Sequence, residues 1–530
     1  MTDTVEVLVV GAGLGGLSAA MFLAKRGVRT LVVEKHSGTS IYPKAAGQNP
    51  RTMELLRIGG VLDRVEQAND LRGQHGDFTI RVAESVGGKV LHTFAESVDE
   101  MMAATAPCTP HGWGFLAQDH MEPILLAQAK EYGAEVWYGT ELVSFEQDST
   151  GVNALVRDVA TGRESIVHAD YLVAADGPAS PVRERLGIPR SGQGVLSHFV
   201  GVIFEADLSA VLPPGSVGWY YLQNPAFTGT FGPTDRPNRH TFFVEYSPDR
   251  SESPEDFPPA RCVELIRLAV NMPDLEPELL NIQQWEMAAY IADRWRDGRV
   301  FLVGDAAKVT PPTGGLGGNT AIGDGYDIAW KLAAVVKGTA GPGLLDSYEP
   351  ERKLVAHLVV DESMSVYANR MAPHLIGKVP AGVGYSEVLL GFRYRSGAVL
   401  IDDTDPATVE DPLRPSGRPG FRAPHVWITC AGSRMSTVDI FGEWVLIAAD
   451  ELWRGADARV DTVVVGTDIE ETDPRGHVDT RYGIGESGAS LIRPDGIVAW
   501  RTASPVPEAL PAVLDKLQVR QLLESAGPNR

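Results

Sequence analysis

The chain has 530 residues, of which 44% are hydrophobic, and this size predicts two or three well-filled domains. Its formal net charge of −22 argues against nucleic acid or an anionic membrane as a partner. The three cysteines, Cys108, Cys262 and Cys430, form neither a disulfide framework nor a ligand cluster with the 12 histidines, so we expect reduced thiols and no metal. Without a basic leader or a run of about 18 apolar residues, we expect a cytoplasmic protein.

A glycine-rich turn between an apolar strand and an apolar helix lies within residues 5–26. Gly11 allows the tight turn, Gly13 lets the backbone approach a pyrophosphate, and Gly16 lets the helix pack closely on the strand. A second strand leads to Glu34, which lies 34 − 13 = 21 residues after Gly13, where a carboxylate accepts hydrogen bonds from ribose hydroxyls. The pattern predicts a dinucleotide whose diphosphate rests on the helix N-terminus.

The same glycine spacing recurs at residues 483–488 and serves as an internal control. It follows no strand and precedes a strand-like segment, residues 489–492, so we predict a loop there. Only the first copy combines strand, helix and terminal acid. That motif alone leaves the identity of the dinucleotide open.

A second motif near residue 300 indicates a flavin. The apolar strand at residues 300–303 ends in Gly304 and Asp305, which places a carboxylate at the edge where open α/β sheets bind ligands, within reach of a ribityl chain. Two prolines and four glycines then predict a rigid loop before a helix at residues 319–336. Backbone N–H groups at that helix start stabilise negative charge on a reduced flavin ring. The alternative is a glycine-rich helix start that serves only close packing.

Together these segments resemble the class A flavoprotein aromatic hydroxylases, typified by para-hydroxybenzoate and phenol hydroxylase. The matching parts are the first glycine turn with Glu34, residues 174–183 and residues 304–332. The resemblance implies bound FAD, NADPH as a transient reductant, O₂, and hydroxylation of an activated aromatic ring through a flavin hydroperoxide. It also implies a protein that positions the substrate and excludes water.

The resemblance assigns roles to further residues. Asp176 follows a strand and contacts FAD and the region that NADPH visits, Gln118 reaches the flavin side chain, and Lys44 lies near the pyrophosphate. The alternatives are an ordinary strand-ending turn for Asp176 and surface polar groups for the other two. Lys308 stands where the family often carries a histidine. The complete predicted cofactor site comprises Gly11, Gly13, Leu14, Gly16, Glu34, Lys35, Lys44, Gln118, Asp176, Asp305, Pro312, Gly315, Gly317, Gly318 and Asn319.

The C-terminal part is similar to the thioredoxin-like domain of the larger hydroxylases in three segments, residues 418–425, 436–442 and 491–501. Thiol chemistry needs a CxxC pair, and only Cys430 lies near, so we expect a structural or interaction role. The predicted fold class is α/β, with interleaved domains. The Rossmann-like FAD-binding domain takes residues 1–75, 110–185 and 291–400, the β-rich substrate domain takes 76–109 and 186–290, the linker is 403–420, and the thioredoxin-like domain is 421–530.

The overall pattern, including residues 42–47 and 51–56, looks closest to the hydroxylases that tailor anthracyclines. The resemblance implies a small-molecule aromatic polyketide as substrate, a tetracyclic, aklavinone-like quinone with a phenol next to the hydroxylated carbon. Tyr220, Phe231 and Phe243 come from segments of period-two alternation and are predicted to wall its cavity, although rings in such strands also serve as core. We expect a monomer or a homodimer.

Arg370 is the candidate catalytic residue. It borders an apolar stripe, Met364, Tyr367 and Met371, on a helix predicted over residues 361–371. In one interpretation its charge snorkels at the rim of the stripe. In the other it points into the substrate cavity and stabilises the phenolate, which lowers the phenol pKa and speeds attack on the activated oxygen.

Three other functions share some of these motifs. A flavin monooxygenase that inactivates a planar antibiotic would share all of them, a non-catalytic flavin- or drug-binding protein would share the binding motifs, and a pyridine-nucleotide dehydrogenase would use only the first. Bound yellow flavin excludes the dehydrogenase, and NADPH consumption stimulated by an aromatic ligand excludes the binding protein.

Overall fold

The computed structural model describes residues 2–71, 78–95, 103–212, 217–234, 236, 238–473 and 477–517. These residues form two large sheets and a smaller C-terminal domain. Across these ranges, no helix is long and apolar enough to cross a bilayer.

The first sheet has a parallel centre. The strand at the N-terminus pairs with two parallel neighbours, so that Val7 lies opposite both Tyr171 and Thr30. Since parallel strands end at one edge, the segments that follow them meet there. In sheet order the strands are Arg296–Asp297, Val300–Leu302, Glu164–Ala174, Thr2–Val10, Thr30–Glu34 and Glu135–Tyr138, and the hairpin Thr140–Gln147 and Val152–Asp158 joins through Glu164–Ala174.

The second sheet is antiparallel except for one pair, Phe78–Ala83 with Val217–Asn224. One of its faces packs on the helix Pro259–Val270, where Leu265 and Ile266 meet the buried rings of the strands. In sheet order the strands are Lys308–Val309, Glu278–Ala292, Arg190–Glu205, Arg239–Tyr246, Phe227–Pro233, Val217–Asn224, Phe78–Ala83 and Val90–Ala95. The edge strand Lys308–Val309 comes from the segment predicted to belong to the FAD domain.

Local sequence explains the helices around the first sheet. The helix Leu14–Lys25 is buried from Leu14 to Ala24 because it lies between the sheet and the helix Gly317–Val336. Asn49 caps the next helix by accepting a hydrogen bond from Thr52 N at 3.0 Å. The helices with described bounds are Leu14–Lys25, Pro50–Gly59, Leu62–Leu71, Gln118–Glu131, Pro181–Arg185, Pro259–Val270, Gly317–Val336, Tyr348–Arg370, Tyr385–Leu390, Val478–Tyr482 and Leu510–Lys516.

The C-terminal domain contains a mixed four-stranded sheet and a three-stranded sheet. In the first, Val445–Ala448 is parallel to Asp461–Val464 and antiparallel to Ala489–Ile492, which pairs with Val498–Thr502. The second consists of Ser433–Ser436, Trp427–Cys430 and Ile469–Glu471. Outside this domain, Ala46–Gln48 and Gly114–Ala117 form a small two-stranded sheet. The fold class is therefore the one predicted. The second glycine repeat is the predicted loop, since Gly483 ends a helix at φ +65°.

The segment predicted as a linker, residues 403–420, is fastened at several points. Arg393, which is fully buried, donates to Asp403 at 2.7 Å, and Arg418 donates to Asp405 at 2.7 Å. Gly420 N donates to the carbonyl of Val498 at 2.8 Å. The connection between the domains is thus part of the packed structure.

Glu54, on the helix Pro50–Gly59, is a buried carboxylate that joins this helix to the C-terminal domain. It accepts hydrogen bonds from Arg422 Nε at 3.0 Å, Arg51 Nη1 at 2.9 Å and Thr109 Oγ1 at 2.8 Å. Burial alone would raise the pKa of Glu54, but Arg422 and Arg51 outweigh it and lower the pKa to about 2. Charged Glu54 therefore stabilises the fold above its ordinary pKa, and this stabilisation is lost as the pH falls from about 4.5 to about 2.

We expect Glu54→Gln to destabilise the protein by about 3–5 kcal/mol at pH 7, because it leaves the buried Arg422 charge uncompensated. Urea unfolding at pH 7 and at pH 4 measures the loss. The difference in unfolding free energy between wild type and variant narrows at pH 4, because the stabilisation from charged Glu54 begins to be lost there. Glu131→Gln, which removes an exposed ion pair with Arg64, is the control and should change stability by less than about 1 kcal/mol. A difference equal at both pH values would contradict this assignment.

Candidate functional site

The glycines of the first motif have distinct steric roles. Gly11 has φ +101°, and a Cβ there would lie 2.2 Å from the carbonyl oxygen of Ala175. A Cβ on Gly16 would lie 1.9 Å from the carbonyl oxygen of Gly11, so strand and helix meet at backbone contact. Among the described residues, leaving aside its chain neighbours, a Cβ on Gly13 would come within 4 Å of one atom, Glu122 Oε1 at 3.9 Å. Gly13 thus presents bare backbone to an open space, as a pyrophosphate cradle requires.

Glu34 closes this turn as well as facing the cavity. Its Oε2 accepts a hydrogen bond from Ala12 N at 2.8 Å, and its Oε1 accepts one from His36 N at 2.9 Å. Each carboxylate oxygen accepts more than one hydrogen bond, so capacity remains for ribose hydroxyls. Glu34 therefore orients the glycine turn and can bind the adenosine end of a cofactor.

Asp305 lies on the turn after Val300–Leu302, with its side chain open to the cavity. Gly304 makes the turn at φ +61°, a conformation that favours glycine. Desolvation away from bulk water raises the pKa of Asp305, while Lys308 and Lys44 oppose that rise. A hydroxyl-rich ligand that donates hydrogen bonds to this carboxylate would replace the missing solvent.

The loop before the helix Gly317–Val336, residues 311–316, contains two adjacent glycines that line the cavity. Gly314 and Gly315 have φ +90° and +66°, and a Cβ on Gly315 would meet no atom within 4 Å. Asn319 fixes the loop, because its Nδ2 donates to the carbonyls of Gly47 at 3.1 Å and Gly315 at 2.8 Å. The result is a flat backbone surface at a helix N-terminus, which suits a flavin ring that gains negative charge.

Two further polar residues, Asp176 and Gln118, line the cavity that the glycine turn also lines. Asp176 accepts hydrogen bonds from Ser180 Oγ at 2.7 Å and Val182 N at 3.0 Å, and burial raises its pKa. Gln118 Nε2 donates to Glu122 Oε1 at 2.6 Å, and Glu122 Oε2 accepts from Ser40 N at 2.7 Å. Sequence reasoning missed Glu122, although its position four residues after Gln118 places it on the same helix face.

One cavity of about 2120 Å³ unites these groups. Its volume exceeds the roughly 300–1,000 Å³ typical of a site for one small ligand, so it can hold a dinucleotide and a second molecule. All the predicted cofactor residues line it except Gly16, which packs behind the turn. The lining set therefore includes Gly11, Gly13, Leu14, Glu34, Lys35, Lys44, Gln118, Asp176, Asp305, Pro312, Gly315, Gly317, Gly318 and Asn319.

The aromatic wall differs from the predicted one. Tyr220 and Phe231 are 5% and 0% exposed in the core of the second sheet, away from the cavity, so their assignment to the substrate site does not hold. Alternation along the same strand instead turns Trp219 and Tyr221 to the cavity. Phe243 lies beyond Trp219, with ring centroids 6.4 Å apart, and does not reach the lining. For Tyr220 and Phe231 the predicted alternation is right but the face is the opposite one, whereas Phe243 lies on the face of the cavity-lining Thr241.

Arg370 lies in the cavity wall at the end of the helix Tyr348–Arg370. Its Nη1 donates to the hydroxyl of Tyr221 at 3.1 Å, and its guanidinium lies 5.0 Å from the ring centre of Phe94. Glu362, which precedes it by two helical turns, also faces the cavity. Sequence reasoning did not identify Glu362 or two further rings of this wall, Trp113 and Tyr385.

Lys308 does not contact the cavity, although it replaces a histidine of the resembled family. It is 2% exposed and donates to Asp324 Oδ2 at 2.6 Å. Burial lowers the pKa of Lys308, and Asp324 opposes that change. Its role is therefore to hold the helix that carries Asp324 against the Gly304 turn.

Comparison with known proteins agrees with this site. Residues 4–363 match the FAD binding domain family, and residues 416–518 match the C-terminal domain of aromatic-ring hydroxylases. The chain is 60% identical over 519 residues to aklavinone 12-hydroxylase of Streptomyces purpurascens, covering 95% of this chain and 96% of that one. It is 65% identical over 454 residues to aklavinone 12-hydroxylase of Streptomyces peucetius, covering 85% and 93%.

The fold matches a solved structure of similar length. The crystal structure of a ternary complex of aklavinone-11 hydroxylase with FAD and aklavinone aligns with a TM-score of 0.94 and 59% identity, covering 98% of this chain and 100% of that one. The chain belongs to the FAD-dependent aromatic-ring hydroxylases. It is a flavoprotein monooxygenase, and its cavity provides the backbone cradle at Gly13 and Gly315 that FAD needs.

In this hydroxylase, Asp305→Ala should weaken FAD binding about tenfold or more. Loss of a charge-assisted hydrogen bond costs about 1.5–3 kcal/mol, and each 1.4 kcal/mol is about tenfold in affinity. Flavin absorbance after dialysis measures the retained cofactor. Asp346→Ala, a change of an exposed carboxylate outside the cavity, is the matched control. Unchanged flavin absorbance in Asp305→Ala would overturn the assignment.

Proposed function

We propose that this monooxygenase uses NADPH and O₂ to hydroxylate a phenolic ring of an anthracycline-type tetracyclic polyketide similar to aklavinone. The observation that carries the substrate class is similarity over nearly the whole chain to hydroxylases named for aklavinone. The wide cavity walled by Trp113, Trp219 and Tyr221 suits a flat polycyclic ring system next to the cofactor. The proposed balance is NADPH, a proton, O₂ and the phenol giving NADP⁺, water and the hydroxylated phenol.

The residues of the cavity divide this task. The glycine turn, Glu34 and Asp305 bind the two ends of FAD, which when bound and reduced supplies the activated oxygen. The loop at Gly314 and Gly315 leaves space for the flavin ring beside the substrate wall. The protein's contribution is to hold the phenol carbon near the oxygen donor, to exclude water and to favour the phenolate.

The test is product analysis with the purified flavoenzyme, aklavinone, NADPH and ¹⁸O₂. We expect one ¹⁸O atom in a hydroxylated product, and the names of the relatives give two different ring positions, so fragmentation or NMR must locate the new hydroxyl. A panel of phenolic polyketides and a parallel reaction with NADH define substrate and reductant preference. A product without ¹⁸O, or no product from any polyphenol of the panel, would contradict the proposal. Antibiotic activity of substrate and product separates biosynthesis from inactivation.

Arg370→Gln should retain FAD and slow hydroxylation about tenfold or more at pH 7. In wild type the guanidinium favours the ionised phenol, because an opposite charge within about 4–6 Å lowers a pKa by about 1–3 units. Since the variant must wait for the substrate to ionise unaided, its rate should recover partly as the pH rises. The rate of product formation between about pH 6 and pH 10, which reaches the ordinary phenol pKa of about 10, measures this effect.

Arg64→Gln, which changes an exposed arginine outside the cavity, is the control and should follow the wild-type profile. If Arg370→Gln has the normal rate and the normal pH dependence, Arg370 is a rim cation that packs on Phe94 and Tyr221 without acting on the substrate.

A further inference from the structure

The loop that borders the proposed flavin space, residues 311–316, is attached by two hydrogen bonds to the elements that carry the substrate wall, the helices Tyr348–Arg370 and Tyr385–Leu390. Thr313 Oγ1 donates to the carbonyl of Ser363 at 2.7 Å, and the hydroxyl of Tyr385 donates to the carbonyl of Gly314 at 2.6 Å. Thr313 is 3% exposed, so its bond is shielded from water. Burial raises the pKa of Tyr385, which keeps its hydroxyl protonated and able to donate.

Tyr385 also forms part of the substrate wall. Its ring stacks on Trp113, with centroids 5.9 Å apart and planes inclined by 17°, and both rings line the cavity. The residue before it, Gly384, donates its N–H to Glu362 Oε2 at 3.2 Å. Tyr385 therefore links the flavin loop to the same helix whose cavity face carries Glu362 and Arg370.

These contacts matter because oxygen transfer depends on distance. Reacting atoms need a separation of about 3–3.5 Å, and an error of about 1 Å costs on the order of a hundredfold in rate. When transfer fails, the two electrons of NADPH still reduce O₂, and NADPH, a proton and O₂ give NADP⁺ and H₂O₂ without a new C–O bond. The ratio of hydroxylated product to NADPH consumed therefore reports how well the two ligands are held relative to each other.

We propose that Thr313 and Tyr385 are positioning residues that fix the flavin loop at a set distance from the substrate wall and thereby direct oxygen to the phenol carbon instead of to H₂O₂. This inference rests on the proposed hydroxylation of a phenolic substrate. Neither residue exchanges a proton or an electron in it. Both act through the carbonyl groups of Gly314 and Ser363.

The experiment compares product, H₂O₂ and NADPH consumed in wild type, Tyr385→Phe and Thr313→Val, using the FAD-loaded enzyme with aklavinone. Each variant removes one hydroxyl and keeps the shape of the side chain. We expect the ratio of product to H₂O₂ to fall about fivefold, which is the change in rate that corresponds to losing one hydrogen bond of about 1 kcal/mol. Thr313→Ser, which retains the hydroxyl, should restore the wild-type ratio.

Tyr482→Phe is the matched control. Tyr482 is a fully buried tyrosine that donates to the backbone carbonyl of Pro424 at 2.8 Å in the C-terminal domain, outside the cavity lining. If Tyr482→Phe loses as much stability as Tyr385→Phe but keeps the wild-type ratio of product to H₂O₂, the lower ratio in Tyr385→Phe is caused by lost positioning and not by a weaker fold.

Two results would overturn the inference: a wild-type product ratio in both Tyr385→Phe and Thr313→Val, or a loss in Thr313→Val that Thr313→Ser does not repair. If Tyr385→Phe fails to fold, the threonine pair decides alone. A wild-type enzyme that forms no hydroxylated product contradicts the proposed function, whereas a well-coupled wild type with equally well-coupled variants contradicts only the positioning role.

Discussion

The buried charge network around Glu351 and Arg352 is the constraint on which the flavin site depends. Glu351 accepts from Arg493 Nη1 at 2.6 Å and from Lys331 Nζ at 2.7 Å, and the adjacent Arg352 donates to Asp324 at 2.8 Å. Asp324 Oδ2 also accepts from the N–H of Gly304 at 3.2 Å, next to Asp305. These bonds join the helix Gly317–Val336, the turn at Gly304 and the C-terminal domain. Removing one member would leave an uncompensated buried charge, so the three parts are held as one unit.

This network shows what the C-terminal domain, which lacks a CxxC pair, does in the structure. Arg493 lies on its strand-ending turn, is fully buried, and stacks 5.2 Å from the ring centre of Trp330 on the flavin helix. The next residue, Pro494, accepts a hydrogen bond from the hydroxyl of Tyr326 at 2.7 Å. The domain thus supports the back of the helix Gly317–Val336, whose N-terminus faces the cavity. The packed connection through Arg393 also fixes the C-terminal domain in place, since a free linker would not keep the charged groups of the network at bonding distance.

Sequence reasoning succeeded where the constraint is local. Gly11 and Gly16 follow from the contact of one strand with the helix next to it in sequence, and Asp305 follows from the end of a strand, so short motifs contain the necessary information. It failed where partners are distant. Tyr385 meets Gly314 across 71 residues, and nothing near either residue signals the pair. Tyr220 and Tyr221 show a third kind of limit. Alternation places their side chains on opposite faces of the strand, but one face packs in the core and the other lines the cavity. Because both faces are apolar, hydrophobicity does not show which of them faces the cavity.

The net charge of the chain also differs in meaning from the charges that line the cavity. The chain carries a formal charge of −22, and its cavity lining holds both signs of charge: cations such as Lys35, Lys44 and Arg370, and carboxylates such as Glu34 and Asp305. At physiological ionic strength charges are screened over about 8 Å, so a ligand inside the cavity responds to these lining groups far more than to charges elsewhere on the surface. Arg370 contacts the rings of Tyr221 and Phe94, so the proposed stabilisation of a phenolate would act at the aromatic wall.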